Sequence, residues 1–228
     1  IDELSDRLAA YLQSLGVGRE SAVGLMINRS ELILIYSMAV MKAGGAYMPL
    51  DCKFPEDRLM FMCEDAGVKV ILTHDRLANQ VLPQFEGTIF SDRDLNGLPS
   101  LEARFKVDTK ATDAAVLLFT SGSTGMPKGC VLEHHGIVNY AHWYKKTVQM
   151  TEKDVVAAYA NFGFDAHMID IYPTLLSGAT LHILTEEVRM NFDALNQYIN
   201  DNGITVAFFT TQIGCQIASL FPDNNLRA

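Results

Sequence analysis

The sequence predicts an α/β fold, with largely parallel sheets flanked by helices. Two observations carry that expectation. Short Val/Ile/Leu-rich runs, the composition of strands buried on both faces, alternate with helix-like segments along the whole chain. Residues of hydrophobic type make up 49 % of the 228 positions, enough for a sizeable core.

The elements follow in order. Ile1, Leu4, Leu8, Leu12 and Leu15 recur at helical spacing. A strand is expected over 23–27. Asn28 and Ser30 offer N-caps for a helix over 31–42 that is apolar on nearly every face and hence buried. Gly44 and Gly45 stop it, since a helix C-cap leading into a strand needs positive φ. An extended run over 46–50 comes next, then a helix from Pro55 to Ala66 with Gly67 behind it. Strands are expected over 68–73 and 88–90. The charged, weakly periodic stretch 91–113 reads as a long connection with room for a short strand or turn. A strand over 114–119, a glycine-rich loop, a strand over 130–133 and a helix over 135–148 follow. The remainder reads as strand 155–160, helix 165–176 with Pro173 inside it and Gly178 ending it, and strand 179–184. A helix marked by Phe192, Leu195, Tyr198 and Ile199, strand 204–209 and helix 212–220 close the chain.

Bulk properties exclude several classes. The net charge of −9 argues against a nucleic-acid surface, which needs clustered Lys and Arg. Cys52, Cys63, Cys130 and Cys215 show no metal-binding or redox spacing, so they read as reduced, mostly buried thiols of a cytoplasmic protein. No signal peptide is visible, and the longest nearly apolar run, 32–41, is too short to span a bilayer. The chain starts at Ile1 inside a helical pattern and shows no closing element over 223–228, so it reads as cut from something longer.

The most informative stretch is Phe119-Thr120-Ser121-Gly122-Ser123-Thr124-Gly125-Met126-Pro127-Lys128-Gly129. It holds four hydroxyls, three glycines and one lysine directly after an apolar strand. Such a segment builds no core. Glycines admit close backbone approach, hydroxyls and N–H groups donate, and the lysine adds a point charge, which together suit a phosphate. The order differs from the strand-to-helix P-loop, because no Ser or Thr follows Lys128 and a strand comes next. A hairpin-type loop for ATP is expected.

From Thr120 to Gly129 this stretch resembles the signature of the adenylate-forming enzymes: acyl-CoA synthetases, luciferases and the adenylation domains of nonribosomal peptide synthetases. Lys42-Ala43-Gly44-Gly45-Ala46-Tyr47-Met48-Pro49-Leu50-Asp51 is similar to the K-A-G-G-A-Y-x-P-x-D segment of amino-acid adenylation domains. Phe54-Pro55-Glu56-Asp57-Arg58-Leu59 resembles their Y-P-x-x-R-[IL], with Phe for Tyr. Asn161-Phe162-Gly163-Phe164-Asp165-Ala166 resembles their F-D-[AG] segment. The resemblance covers all of 1–228 and implies part of the large N-terminal domain, with the C-terminal half and the small lid domain absent.

On residues alone, Asp165 at a helix start reads first as an N-cap. The resemblance implies instead that its carboxylate pairs with the α-ammonium of an amino-acid substrate, a group that plain acids lack. It also implies that Phe164 lies near the substrate, and that Ala166 and Ile169, on the same helix as Asp165, and Phe208 line an apolar side-chain pocket. Core packing is an equally open reading for Ile169 and Phe208. His134 matches the histidine that follows the loop strand; with His135 beside it and no third ligand, a metal site is not expected.

The implied reaction is attack of an amino-acid carboxylate on ATP, giving an aminoacyl adenylate and pyrophosphate, with transfer to the phosphopantetheine thiol of a peptidyl carrier protein. Ser121, Ser123, Thr124 and the Gly122 and Gly125 amides would hold the β- and γ-phosphates. Thr120 would stand at the loop entrance, and Lys128 would support the loop or the leaving pyrophosphate, with Mg²⁺ on the phosphate oxygens. The family's N-x-Y-G-P-T-E and T-G-D segments and its C-terminal lysine are not found, so catalytic residues are expected downstream. Other readings are an acyl- or aryl-CoA ligase and a non-catalytic ATP-binding fragment. Residues 1–228 alone are expected to give no amino-acid-dependent ATP–pyrophosphate exchange, which a radiolabel exchange assay checks.

Overall fold

The computed structural model describes residues 1–78, 83–98, 106–121 and 127–228. It divides into two compact units, Ile1–His135 and Gly136–Ala228.

Unit 1 contains α1 (Asp2–Ser14), β1 (Ala22–Met26), α2 (Leu32–Ala43), β2 (Ala46–Pro49), α3 (Glu56–Asp65) and β3 (Val70–Thr73). These are followed by α4 (Asp75–Ala78), β4 (Thr88–Ser91), a 3-10 helix (Asp92–Gly97), and the hairpin of β5 (Ala114–Ser121) and β6 (Pro127–Glu133). The strands form one sheet in the order β4-β3-β1-β2-β5-β6, parallel throughout except for the β5–β6 pair. Met26, Met48 and Ile71 of the sheet, with Leu50 just past β2, pack with Leu59, Met62 and Cys63 of α3, and Leu117 and Phe119 of β5 lean on the same cluster.

Nine of the twelve residues of α2 are buried, as its uniform hydrophobicity predicts. Its neighbouring buried polar groups are satisfied. The Tyr36 hydroxyl donates to the Thr73 carbonyl at 3.2 Å, and the Thr73 hydroxyl donates to the Met26 carbonyl at 2.8 Å. Gly44 ends α2 in the left-handed region at φ +94°, where a side chain is unfavourable. At Gly45 the constraint is space: a Cβ there would lie 2.9 Å from the Ser21 carbonyl oxygen, which also accepts the Ala46 N–H. In the following motif, the Arg58 guanidinium stacks 4.0 Å over the Phe54 ring.

The strand that leads into the glycine-rich stretch is fixed at its base. Asp113, just before β5, receives two bonds from Arg19, at 2.7 and 2.6 Å, and one from the Lys110 N–H at 2.7 Å. The Arg19 bond, then the Lys110 N–H, holds the Asp113 carboxyl down at about 2. Glu20 accepts the Ala114 N–H at 3.1 Å.

α5 (His134–Thr147) starts at the division between the units. Unit 2 then contains β7 (Val155–Ala158), α6 (His167–Ser177), β8 (Thr180–Ile183), α7 (Glu186–Arg189), α8 (Phe192–Asp201), β9 (Val206–Ala207) and α9 (Thr211–Leu220). Its sheet is parallel, in the order β8-β7-β9. Ala157, Leu184, Leu195, Ile199, Ile204 and Ile217 form its main core.

Several boundaries differ from the sequence-based expectation. β5 runs through Thr120 and Ser121 and β6 begins at Pro127, because cross-strand pairing continues to Ser121 and Pro127. β9 keeps only two residues, so Phe208 lies just past the strand. The stretch 91–113 contains the last residue of β4 and the 3-10 helix, capped by a reciprocal Ser91–Asp94 pair; residues 99–105 within it lie outside the described residues. The short helices α4 and α7 escape the sequence pattern, being single turns too brief for periodicity to show. Neither Asn28 nor Ser30 caps α2, whose flanking residue is Glu31 with no side-chain cap bond. Of the cysteines only Cys63 is buried, which pushes its thiol up to about 11, while Cys130 and Cys215 are exposed. Among the described residues, no helix is long and apolar enough to cross a membrane.

Gly45→Ala is expected to lower the unfolding free energy by about 1–3 kcal/mol, since backbone rather than a flexible side chain must yield. Denaturant titration of wild type and variant measures it.

Candidate functional site

The first candidate region is the open end of the β5–β6 hairpin. Thr120 pairs with Lys128 and Ser121 with Pro127, so Thr120 and Lys128 share one face. The Thr120 hydroxyl donates to the Lys128 carbonyl at 3.5 Å. Thr120, Ser121 and Lys128 are all exposed. Gly129 faces Leu117 and Phe119 with no side chain of its own; a Cβ there would sit 3.3 Å from Leu117. Apolar residues thus pack on the core side of the hairpin while its end stays polar. Gly122, Ser123, Thr124 and Gly125 lie outside the described residues.

This donor set suits an anion. Two hydroxyls and an ammonium group can all donate. No group of three His, Cys, Asp or Glu side chains among the described residues could hold a metal ion. His134, just after β6, has Nε2 buried without a hydrogen-bond partner among the described residues, and burial lowers its pKa against the opposing pull of Asp113. His135 instead faces Glu133 at 3.0 Å.

The second region is the turn 159–166 between β7 and α6. β7 is the central strand of its parallel sheet, and the turn leaves its carboxyl end, where open α/β sheets present their ligand-binding loops. Phe208 leaves the carboxyl end of the neighbouring β9. Phe164 is 65 % exposed and Asp165 is exposed as well. The Asp165 carboxylate accepts no hydrogen bond and forms no ion pair among the described residues. Ala166, Ile169 and Phe208 are half-buried.

The expected helix start at Asp165 is corrected by the structure. α6 begins at His167, and its flanking residue is Ala166, with no side-chain cap. The Asp165 and Ala166 carbonyls accept the N–H groups of Met168 and Ile169, at 3.0 and 3.1 Å, in tight i to i+3 turns. Asp165 is therefore neither an N-cap nor in one helix with Ile169.

Three other side chains hold this turn. Asn161 Oδ1 accepts the Gly163 N–H at 2.8 Å, an Asx turn. Asp170 Oδ2 accepts the Ala160 N–H at 3.0 Å. His167 Nδ1 bonds the Phe164 carbonyl at 2.5 Å, with its ring edge-on to Phe162 at 4.7 Å. Burial drives the His167 pKa down to about 4, against the opposing effect of the Phe164 carbonyl, so the ring is neutral near pH 7. A carbonyl only accepts, which places the proton on Nδ1.

Residues 1–226 match the family described as AMP-binding enzyme. The chain belongs to that family. Similar proteins include bacitracin synthase 1 of Bacillus licheniformis, 32 % identical over 100 % of this chain and 4 % of that protein. Tyrocidine synthase 1 of Brevibacillus parabrevis is 34 % identical over 90 % of this chain and 19 % of its own length. The chain therefore spans a small part of the relatives it matches. Among solved structures, the nonribosomal peptide synthetase FmoA3 in its alpha-methyl-L-serine-AMP bound form superposes with a TM-score of 0.87 at 24 % identity, over 97 % of this chain and 25 % of that one. That likeness shows the fold. The N-terminal subdomain of Klebsiella oxytoca NpsA in complex with 3-hydroxybenzoyl-AMSN has a TM-score of 0.80 at 25 % identity, over 96 % of this chain and 55 % of that one.

The α/β fold class is as the sequence predicts. Sequence reasoning does not single out Asn161, His167 or Asp170. Asn161 two residues before Gly163 is an Asx-turn signal that the sequence does carry; the other two act through backbone contacts that only the folded turn brings together.

The neutral, buried His167 is expected to make this protein acid-sensitive. The unfolded imidazole binds its proton near 6.5 and the folded one near 4, so stability is lost as pH falls through that window. His167→Phe is expected to remove up to about 3 kcal/mol of that pH dependence, at roughly 1.4 kcal/mol per pH unit. Denaturant titrations at pH 6.5 and pH 4.5 compare the two proteins.

Proposed function

We propose that this chain is part of the large N-terminal domain of an amino-acid-activating enzyme. The parent protein joins an amino acid to AMP and releases pyrophosphate. The observation that carries the reading is Asp165: an exposed carboxylate without a partner among the described residues, on a turn whose backbone is tied down at the carboxyl end of a central strand. A substrate ammonium group is the partner it suits.

In this reading the substrate carboxylate attacks the α-phosphorus of ATP, and the bond from that phosphorus to the pyrophosphate oxygen breaks. No protein nucleophile is required, so the protein contributes positioning and charge stabilisation. Thr120, Ser121, Ser123 and Thr124, with the Gly122 and Gly125 amides, would bind the β- and γ-phosphates, and Lys128 would counter their charge. Mg²⁺ carried on the phosphate oxygens would neutralise further charge on the leaving group. Phe164, Ala166, Ile169 and Phe208 would bound an apolar pocket, which suits an aliphatic or aromatic side chain. Onward transfer of the activated amino acid would go to a carrier protein's phosphopantetheine thiol, and the peptide-synthetase structures that share this fold are in keeping with that step.

A second reading, activation of an aryl acid, is favoured by one finding: the NpsA subdomain is seen with a 3-hydroxybenzoyl group. Asp165 separates the two readings. In the full-length protein, Asp165→Ala is expected to raise the amino-acid KM by about tenfold or more, the loss of one charge-assisted bond. An unchanged KM in pyrophosphate exchange would overturn the amino-acid reading. Lys128→Ala is expected to raise the KM for ATP by roughly tenfold on the same reasoning. An effect on the amino-acid KM alone would remove Lys128 from the phosphate site.

A further inference from the structure

We propose that His167 is a positioning residue for substrate recognition: its imidazole pins the Phe164 carbonyl and so fixes the direction in which Asp165 is presented. The inference rests on the amino-acid reading given above and concerns the same turn.

Neither Phe164 nor Asp165 is positioned by its own side chain. Phe164 is 65 % exposed, so burial does not hold it, and Asp165 has no side-chain bond among the described residues. Their placement therefore depends on the backbone between them. That peptide's carbonyl oxygen, on Phe164, accepts two bonds from one residue: the His167 N–H at 3.3 Å and His167 Nδ1 at 2.5 Å. The ring that donates is itself immobilised. His167 is 2 % exposed and packs edge-on against Phe162, which is also buried. The start of the turn is held separately, by Asp170 on the Ala160 N–H and by Asn161 on the Gly163 N–H. His167 thus controls the last peptide before the carboxylate, beyond the reach of the two side chains that hold the start of the turn.

The neutral state of the ring serves this role. A neutral imidazole offers one donor, and here it is directed at a carbonyl. An asparagine at this position offers an amide donor near the place of Nδ1, whereas a glutamine places its donor nearer that of Nε2.

The test uses the full-length protein with wild type, His167→Phe, His167→Gln and His167→Asn. Pyrophosphate exchange is measured against amino acid and ATP separately, and backbone hydrogen exchange is followed without ligands. His167→Phe and His167→Gln are expected to raise the amino-acid KM by about tenfold while the ATP KM stays within about twofold, as loss of one positioning bond implies. His167→Asn is expected to recover most of that loss. Amides over 163–169 are expected to exchange faster in the Phe and Gln variants than in wild type, with β7 unchanged, and to slow again in His167→Asn. An unchanged amino-acid KM in an active wild-type background, an Asn variant no better than Phe, or a parallel rise in both KM values with loss of protection in β7 would each overturn the proposal. If wild type shows no amino-acid-dependent exchange, the reading of the reaction fails, and hydrogen exchange alone decides whether His167 holds the turn.

Discussion

Parallel strand pairing is the constraint on which the placement of every candidate residue depends. Parallel neighbours cannot be joined by a tight turn, so each needs a crossover, and all strands of a sheet deliver their carboxyl ends to one edge. In unit 1 this holds for β4, β3, β1, β2 and β5, and in unit 2 for β8, β7 and β9. The middles of these strands are committed to burial: β2 and β3 are buried at every position. The candidate site residues accordingly lie where strands end. Thr120 and Ser121 close β5, the turn with Phe164 and Asp165 follows β7, and Phe208 follows β9.

The one antiparallel pair among the described residues gives unit 1 a different device. β6 folds back on β5 and returns Lys128 opposite Thr120. A hairpin accomplishes in a few residues what a parallel return would need a dozen or more to do. Donors from two strands therefore flank a short glycine-rich connection. The base of that hairpin is tied to the segment before β1 by Arg19, Glu20 and Asp113. Charge at the base and hydroxyls at the tip leave the apolar middle, with Leu117 and Phe119, to anchor the hairpin on the core.

In unit 2 the turn after β7 meets a harder requirement, because a segment running from a buried strand to a buried helix must satisfy its backbone groups without a ladder. Asn161, His167 and Asp170 do so with side-chain atoms. Two of the three are buried residues of polar type, an arrangement that stabilises only when their bonds are made. The result is a hydrogen-bonded backbone with exposed side chains at Phe164 and Asp165.

The sequence by itself determined the α/β class, the buried α2, the Gly44 stop, the hairpin character of the glycine-rich stretch and the family. Each of these follows from local composition: a run apolar on all sides has only the interior to occupy, and an αL position next to a helix end favours glycine. Only the tertiary structure decided where strands stop and that Asp165 does not cap α6. Cross-strand pairing carried β5 and β6 past their apolar residues into Thr120, Ser121 and Lys128, and Asp165 lost its capping role because the first N–H groups of α6 turn back to main-chain carbonyls. Those outcomes hinge on partners distant in sequence or on the path of the backbone, and the preference of a residue type for caps or strands is too small, at about 1 kcal/mol, to decide them alone.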